Sequence, residues 1–217
     1  MKASSPNAPT TQPARRRTVE GSVALRVRRS VAARTAGEPF TARELLNLGP
    51  RASVDQAIHR LYVEGAVERV ARGVYVRPKF NQTLGVKVPV APEKIVAAIA
   101  RSNATKVSIS GAEAARRFGF STQVPVKLVY DTTGRSRTFT VGSQPVVLRH
   151  ASQSRMELAA TPAGEALAAL LYLGRKEVTQ SVVETVRARL GEAEYQLLLN
   201  HRGAMPAWLS DTFHAAT

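Results

Sequence analysis

FTARELLNLGPRASVDQAIHRLYVEGAVERVARGVYVRPK, residues 40–79, decides how this chain is read. Thr41 is placed to cap a short helix in which Leu45, Leu46 and Leu48 turn inward, and Gly49 with Pro50 ends that helix and opens the next. In the next helix Val54, Ala57, Ile58 and Leu61 recur at helical spacing, so Ala52, Ser53, Gln56, His59, Arg60 and Val63 fall on or near the opposite face. After Gly65 the period drops to two. Val67 to Val70 rises toward Ala71, Arg72 and Gly73, and Val74 to Arg77 returns, a hairpin with glycine where positive φ is needed and Arg72 at its tip. Two helices on a tight turn followed by a basic two-stranded hairpin are the sequence form of a winged helix-turn-helix, which implies DNA as the partner.

Upstream, Ser22 to about Ala36 is expected to be the first helix of that unit, with Val23, Val27, Val31 and Leu25 inward and Arg26, Arg28, Arg29 and Arg34 in water. Residues 1–21 hold little to bury and read as a disordered basic tail ending in Arg15, Arg16 and Arg17. Those three arginines suit either an arm laid into the minor groove or a solvated tail.

Downstream, residues 84–217 are patterned enough to need a core of their own. Pro92 starts a helix through Arg101, Lys106 to Ser110 reads as a strand, and Ala112 to Phe118 as a helix closed by Gly119. Strands follow at Val126 to Tyr130, Arg137 to Val141 and Val146 to Arg149, with a turn through Thr133 and Gly134 after the first. AGEALAALLYLG, QSVVETVRARLG and EAEYQLLLNHRG are then three helices, with PAWLSDTF a shorter fourth. The expectation is an α+β chain: tail at 1–21, winged helix-turn-helix at 22–80, and a mixed α/β domain with a helical end at 84–217.

The charge balance agrees with a polyanionic partner. Thirty-one Lys and Arg oppose 16 Asp and Glu, a net of +15 with a pI near 11.1, and the excess is denser before residue 81. No cysteine is present, so disulfides and Cys-ligated metal centres are excluded. With no apolar run of membrane length and no apolar segment behind the N-terminal charges, the chain reads as soluble and cytoplasmic, away from the membrane.

For DNA, Arg51 and Ser53 begin the second helix, where a helix N-terminus meets phosphate. Gln56 and Arg60 suit adenine and guanine, and His59 is either a donor to base or phosphate or an exposed residue without a partner. Asp55 pairs with Arg51 or caps the helix. Arg69, Arg72, Arg77 and Lys79 are expected to hold the DNA backbone on the hairpin side. In the second domain Ser121, Thr122 and Gln123 lie in a loop where they either face a partner or satisfy the turn, Tyr130 and Trp208 pack, and Arg116, Arg117, Arg135, Arg137, Arg149 and Arg155 are candidates for a second basic surface. Catalysis finds no support: Asp131 and Glu157 lack the companions of a metal-dependent nuclease, neither a GxxxxGK[ST] loop nor HExxH occurs, and the four His have no ligand spacing. No catalytic residue, metal or cofactor is expected.

RASVDQAIHRL and RGVYVRP, followed by GFSTQVPVKLVYDTTGRSRTFTVG and the ALLYLG run, resemble the AbiEi family of bacterial type IV antitoxins over most of residues 22–213. The resemblance implies an autorepressor that binds operator inverted repeats, with possible self-association on DNA. It also implies a second domain that counteracts an AbiEii-type nucleotidyltransferase toxin without a stable complex. An RNA-binding protein or a general transcriptional regulator unrelated to a toxin is the alternative that the charge alone allows.

Overall fold

A computed structural model describes residues 21–153 and 156–215, and the fold is α+β. Arg15, Arg16, Arg17 and Arg155 lie outside the described residues.

Helix α1 spans Val23–Ala32, with the Ser22 hydroxyl accepting from the Leu25 amide. It stops four residues short of the expected end at Ala36. Strand β1, Phe40–Thr41, follows, then a 3₁₀ helix, Ala42–Leu48. The Glu44 carboxylate accepts from the Thr41 amide at 2.9 Å, tying the start of this turn as a capping residue would. Helix α2 is Arg51–Val63, and the hairpin is β2, Glu68–Ala71, with β3, Val74–Val76. The hairpin turns at Gly73, whose φ of 77° disfavours a side chain.

Sequence periodicity gave the hairpin two strands, but the sheet has three, ordered β1-β3-β2, because Phe40 and Thr41 pair antiparallel with Tyr75 and Val74. A two-residue strand carries no alternation to read. Gly49 shows how tightly the helices close: a Cβ there would lie 2.6 Å from Val23 Cγ2, so α1 can rest on the turn before α2 because glycine occupies it. Val27, Val31, Phe40, Leu45, Val54 and Ile58 fill the core of this half at 3% exposure or less. Arg34, expected in water, is half-buried: it pairs with Glu44 at 3.1 Å and lies 4.7 Å from the centre of the Phe40 ring.

The rest begins with α3, Pro92–Asn103, then β4, Val107–Ile109, and α4, Ala112–Arg117. Strands β5, Leu128–Thr132, β6, Arg137–Val141, and β7, Gln144–His150, complete a four-stranded sheet ordered β4-β5-β7-β6. The turn at Thr133 and Gly134 therefore does not make β5 and β6 neighbours. β7 inserts between them, parallel to β5 and antiparallel to β6. Helices α5, Pro162–Leu173, α6, Gln180–Asn200, and α7, Ala207–Ala215, close the chain. Within α6, Gly191 leaves the helical region at φ 72°, ψ 168°, so the segment is two helices end to end, as the sequence pattern divides it.

A second apolar cluster joins α3, the sheet and the closing helices, with Ile95, Leu148, Ala166, Leu170, Leu198 and Phe213 almost fully buried. It also takes in Ala71 and Val74 from the β2–β3 hairpin. The hairpin is thus shared: its base completes the first half and its end packs into the second. Among the described residues no helix is long and apolar enough to cross a membrane.

Candidate nucleic-acid interface

Helix α2 buries Val54, Ala57, Ile58 and Leu61, and this stripe fixes what the other side presents. Arg51, Gln56, His59 and Arg60 are exposed, and Ser53 is half-buried. Pro50 precedes the helix, and no acidic residue occupies its first turn, so the unpaired amides and positive dipole end there are not offset by a carboxylate. Arg51 and Asp55 pair at 3.0 Å across one turn, as their spacing predicts. The side chains of Gln56, His59 and Arg60 have no partner among the described residues. They form a cluster of hydrogen-bonding groups with unmet capacity on one helix face. Tyr62 and Val63 extend that face as exposed apolar surface. Tyr62 escaped the sequence reading because an aromatic beside an apolar stripe reads as core.

The hairpin candidates divide. Arg72 is exposed at the turn and Arg69 is exposed on β2, whereas Arg77 is half-buried and turned inward. One Arg77 nitrogen donates to the carbonyls of Ala32 at 2.7 Å and Arg34 at 2.5 Å, so this guanidinium closes the C-terminal end of α1. Lys79 is exposed, with its stem against Gly37. Arg26 resembles Arg77: it donates to the carbonyl of Leu48 at the end of the 3₁₀ helix, at 2.7 and 3.1 Å. Lys87, which the sequence reading did not single out, pairs with Glu68 on β2.

The second basic surface is largely neutralised within the fold. Arg116 and Arg117 converge on the buried Glu113, at 2.6 and 3.2 Å, and Arg117 also reaches Glu93 and Glu165. Hydrogen bonds from Arg116 lead the causes that hold the Glu113 carboxyl below its usual range, against an opposing effect of burial. Arg149 pairs with the buried Asp131 at 2.8 Å. Arg135 is exposed. Arg137 donates to the backbone carbonyl of Arg72 at 3.3 Å, and burial, then the charge of Arg72, lowers its guanidinium from the usual value. Two cations from distant parts of the sequence therefore meet at the hairpin turn. Tyr130 is buried, as its alternating position predicts, and burial pushes its phenol well above the usual value. Trp208 packs partly buried against the second cluster.

A family model described as a family of unknown function, DUF6088, matches residues 26–197, and the chain belongs to that family. The match runs from α1 through most of α6 and so includes both apolar clusters. No curated protein and no solved structure matches the chain.

Proposed function

We propose that the chain is a winged helix-turn-helix DNA-binding protein, with α2 as the recognition helix and the β2–β3 hairpin as the wing. The observation that carries this reading is the outer face of α2, where Gln56, His59 and Arg60 are exposed without partners among the described residues, while most described arginines elsewhere are paired or capping. Gln56 and Arg60 supply the bidentate groups that suit adenine and guanine edges, and the N-terminus of α2 with Arg51 and Ser53 supplies phosphate contacts. Arg72, Arg69 and Lys79 then follow the backbone beside the groove. The order α1, β1, 3₁₀ helix, α2, β2, β3 and the three-stranded sheet support the same assignment.

The biological role we assign is that of an antitoxin of the AbiEi type, repressing its own operon through inverted repeats and opposing a nucleotidyltransferase toxin in the cytoplasm. This role rests on the sequence resemblance. No catalytic step and no cofactor belong to it.

The test uses the full-length chain, since Ala71 and Val74 pack into the second cluster and truncation after the hairpin would expose them. Footprinting on DNA upstream of the gene is expected to show paired half-sites. Absence of a footprint there and on random duplex sinks the DNA reading. Carrying Arg51→Ala, Arg60→Ala and Arg72→Ala, the chain should lose the footprint yet still protect growth when the product of the adjacent gene is induced. Loss of both by a protein with an unchanged melting temperature sinks the separation of roles.

A further inference from the structure

A cleft of about 840 Å3 opens in the second half of the molecule, and none of its lining comes from α1, α2 or the β2–β3 hairpin. Its shape follows from two periodicities. Along β5, Leu128 and Tyr130 enter the core, so Val129 and Asp131 turn to the opposite face of the sheet, where Asp131 meets Arg149 of β7. Along α5, Ala163, Ala166, Ala169 and Leu170 are buried, which leaves Leu167, Leu171 and Tyr172 to face the cleft. One wall is therefore apolar helix and the other a polar strand surface, with the loop of residues 121–127 at the side.

Four charged side chains line this cleft, Glu113, Asp131, Lys127 and Arg149, and both carboxylates already have guanidinium partners. Arg149 gives Nε and one terminal nitrogen to Asp131, at 2.8 and 3.2 Å, and the same terminal nitrogen reaches the buried Ser110 hydroxyl at 3.0 Å. The guanidinium is locked in place while its Nη1 has no partner among the described residues. Glu113, also on the lining, is matched by Arg116 and Arg117. Lys127 remains, exposed and without a carboxylate partner among the described residues. Around it Val124 and Val126 stand 75% and 89% exposed and Tyr172 53% exposed, an apolar rim left in water.

We infer that this cleft binds a small organic anion. Its acidic group, a carboxylate, sulfonate or phosphate, sits between Lys127 and the outer edge of Arg149, and an apolar or aromatic body lies against Leu167, Leu171 and Tyr172. The volume falls within the range of about 300 to 1,000 Å3 typical of ligand pockets, and the combination of apolar wall and a few fixed polar groups is what such pockets use for affinity and orientation. A locked guanidinium favours a planar or tetrahedral anion, since little side-chain freedom is lost on binding.

Calorimetry on the full-length protein without DNA tests this with naphthalene-2-sulfonate and its cationic counterpart, 2-naphthylmethylammonium, so the result is independent of the DNA reading. One site per chain is expected for the sulfonate, with the ammonium at least about tenfold weaker. Lys127→Glu lies on an exposed loop and leaves the Asp131–Arg149 pair intact. It should weaken the sulfonate by about tenfold or more and narrow or reverse the preference. Ala168→Trp, which fills the apolar wall, should abolish binding of both. The inference is overturned by equal affinity for anion and cation, by several weak sites in place of one, or by an unchanged sulfonate affinity in Lys127→Glu at wild-type melting temperature.

Discussion

Arginine has two fates in this molecule, and the outer face of α2 and the foot of the β2–β3 hairpin show them side by side. On α2, Arg60 stands in water beside Gln56 and His59 with no partner among the described residues, and Arg51 pairs there with the exposed Asp55. At the hairpin foot, Arg77 is bound to two carbonyls at the end of α1, and Arg34 nearby is held by Glu44 and the Phe40 ring. Net charge counts these residues equally. Their availability to a phosphate differs, because a guanidinium already donating to fixed acceptors has fewer N–H groups, and less freedom to move, left for a ligand.

If the unpaired population meets DNA, the largest effect is on salt dependence. Six to ten phosphate contacts would reduce duplex affinity by about 10³ to 10⁵ between 50 and 200 mM salt, and a flat titration removes the electrostatic half of the comparison. Arg77→Ala comes next. It should lower unfolding free energy by about 1.5 to 3 kcal/mol, since charged hydrogen bonds to carbonyls that end a helix are lost, and urea unfolding reads it. An undiminished stability would place Arg77 among the available cations after all.

Gln56→Ala and Arg60→Ala should each cost about 1 to 3 kcal/mol of discrimination between operator and random duplex, whereas Arg72→Ala should weaken both alike and reduce the salt slope by about 1. Parallel losses for all three, measured by competition binding, erase the distinction between helix and hairpin. Glu113 sharpens the comparison from the other side. Arg116 and Arg117 hold its carboxyl below the ordinary value of 4.5, so its contribution is present above that pH and is lost as pH falls through the lowered value in the folded state. Thermal melting of Glu113→Gln should lie below the parent at neutral pH and converge on it in acid. The smallest effect is Asp55→Ala, which releases Arg51: stability should change by about 0.5 kcal/mol or less while duplex affinity rises.

Elements were legible where local chemistry repeats. The α2 stripe announces itself through Val54, Ala57, Ile58 and Leu61, the hairpin through Gly73 followed by Val74 and Val76 at period two, and the break in α6 through Gly191. Phe40–Thr41 was not legible as a strand, because two residues hold no period and its partner is Tyr75–Val74, more than thirty positions away. The position of β7 was equally hidden. Turn residues at 133 and 134 say that the chain reverses, and say nothing about whether another strand will later enter the gap.

For the candidate interface the sequence by itself determined which residues of α2 face outward, since a helix with one apolar stripe leaves Gln56, His59 and Arg60 on the other side whatever it packs against. It also determined the α+β class and the excess of positive charge. Tertiary structure alone decided which cations remain available. Arg77 meets the carbonyls of Ala32 and Arg34, Arg149 meets Asp131, and Arg137 comes up against Arg72, all pairings across long separations in the chain. Charge is a property of the residue, whereas its neutralisation depends on which distant groups folding brings within a few ångströms.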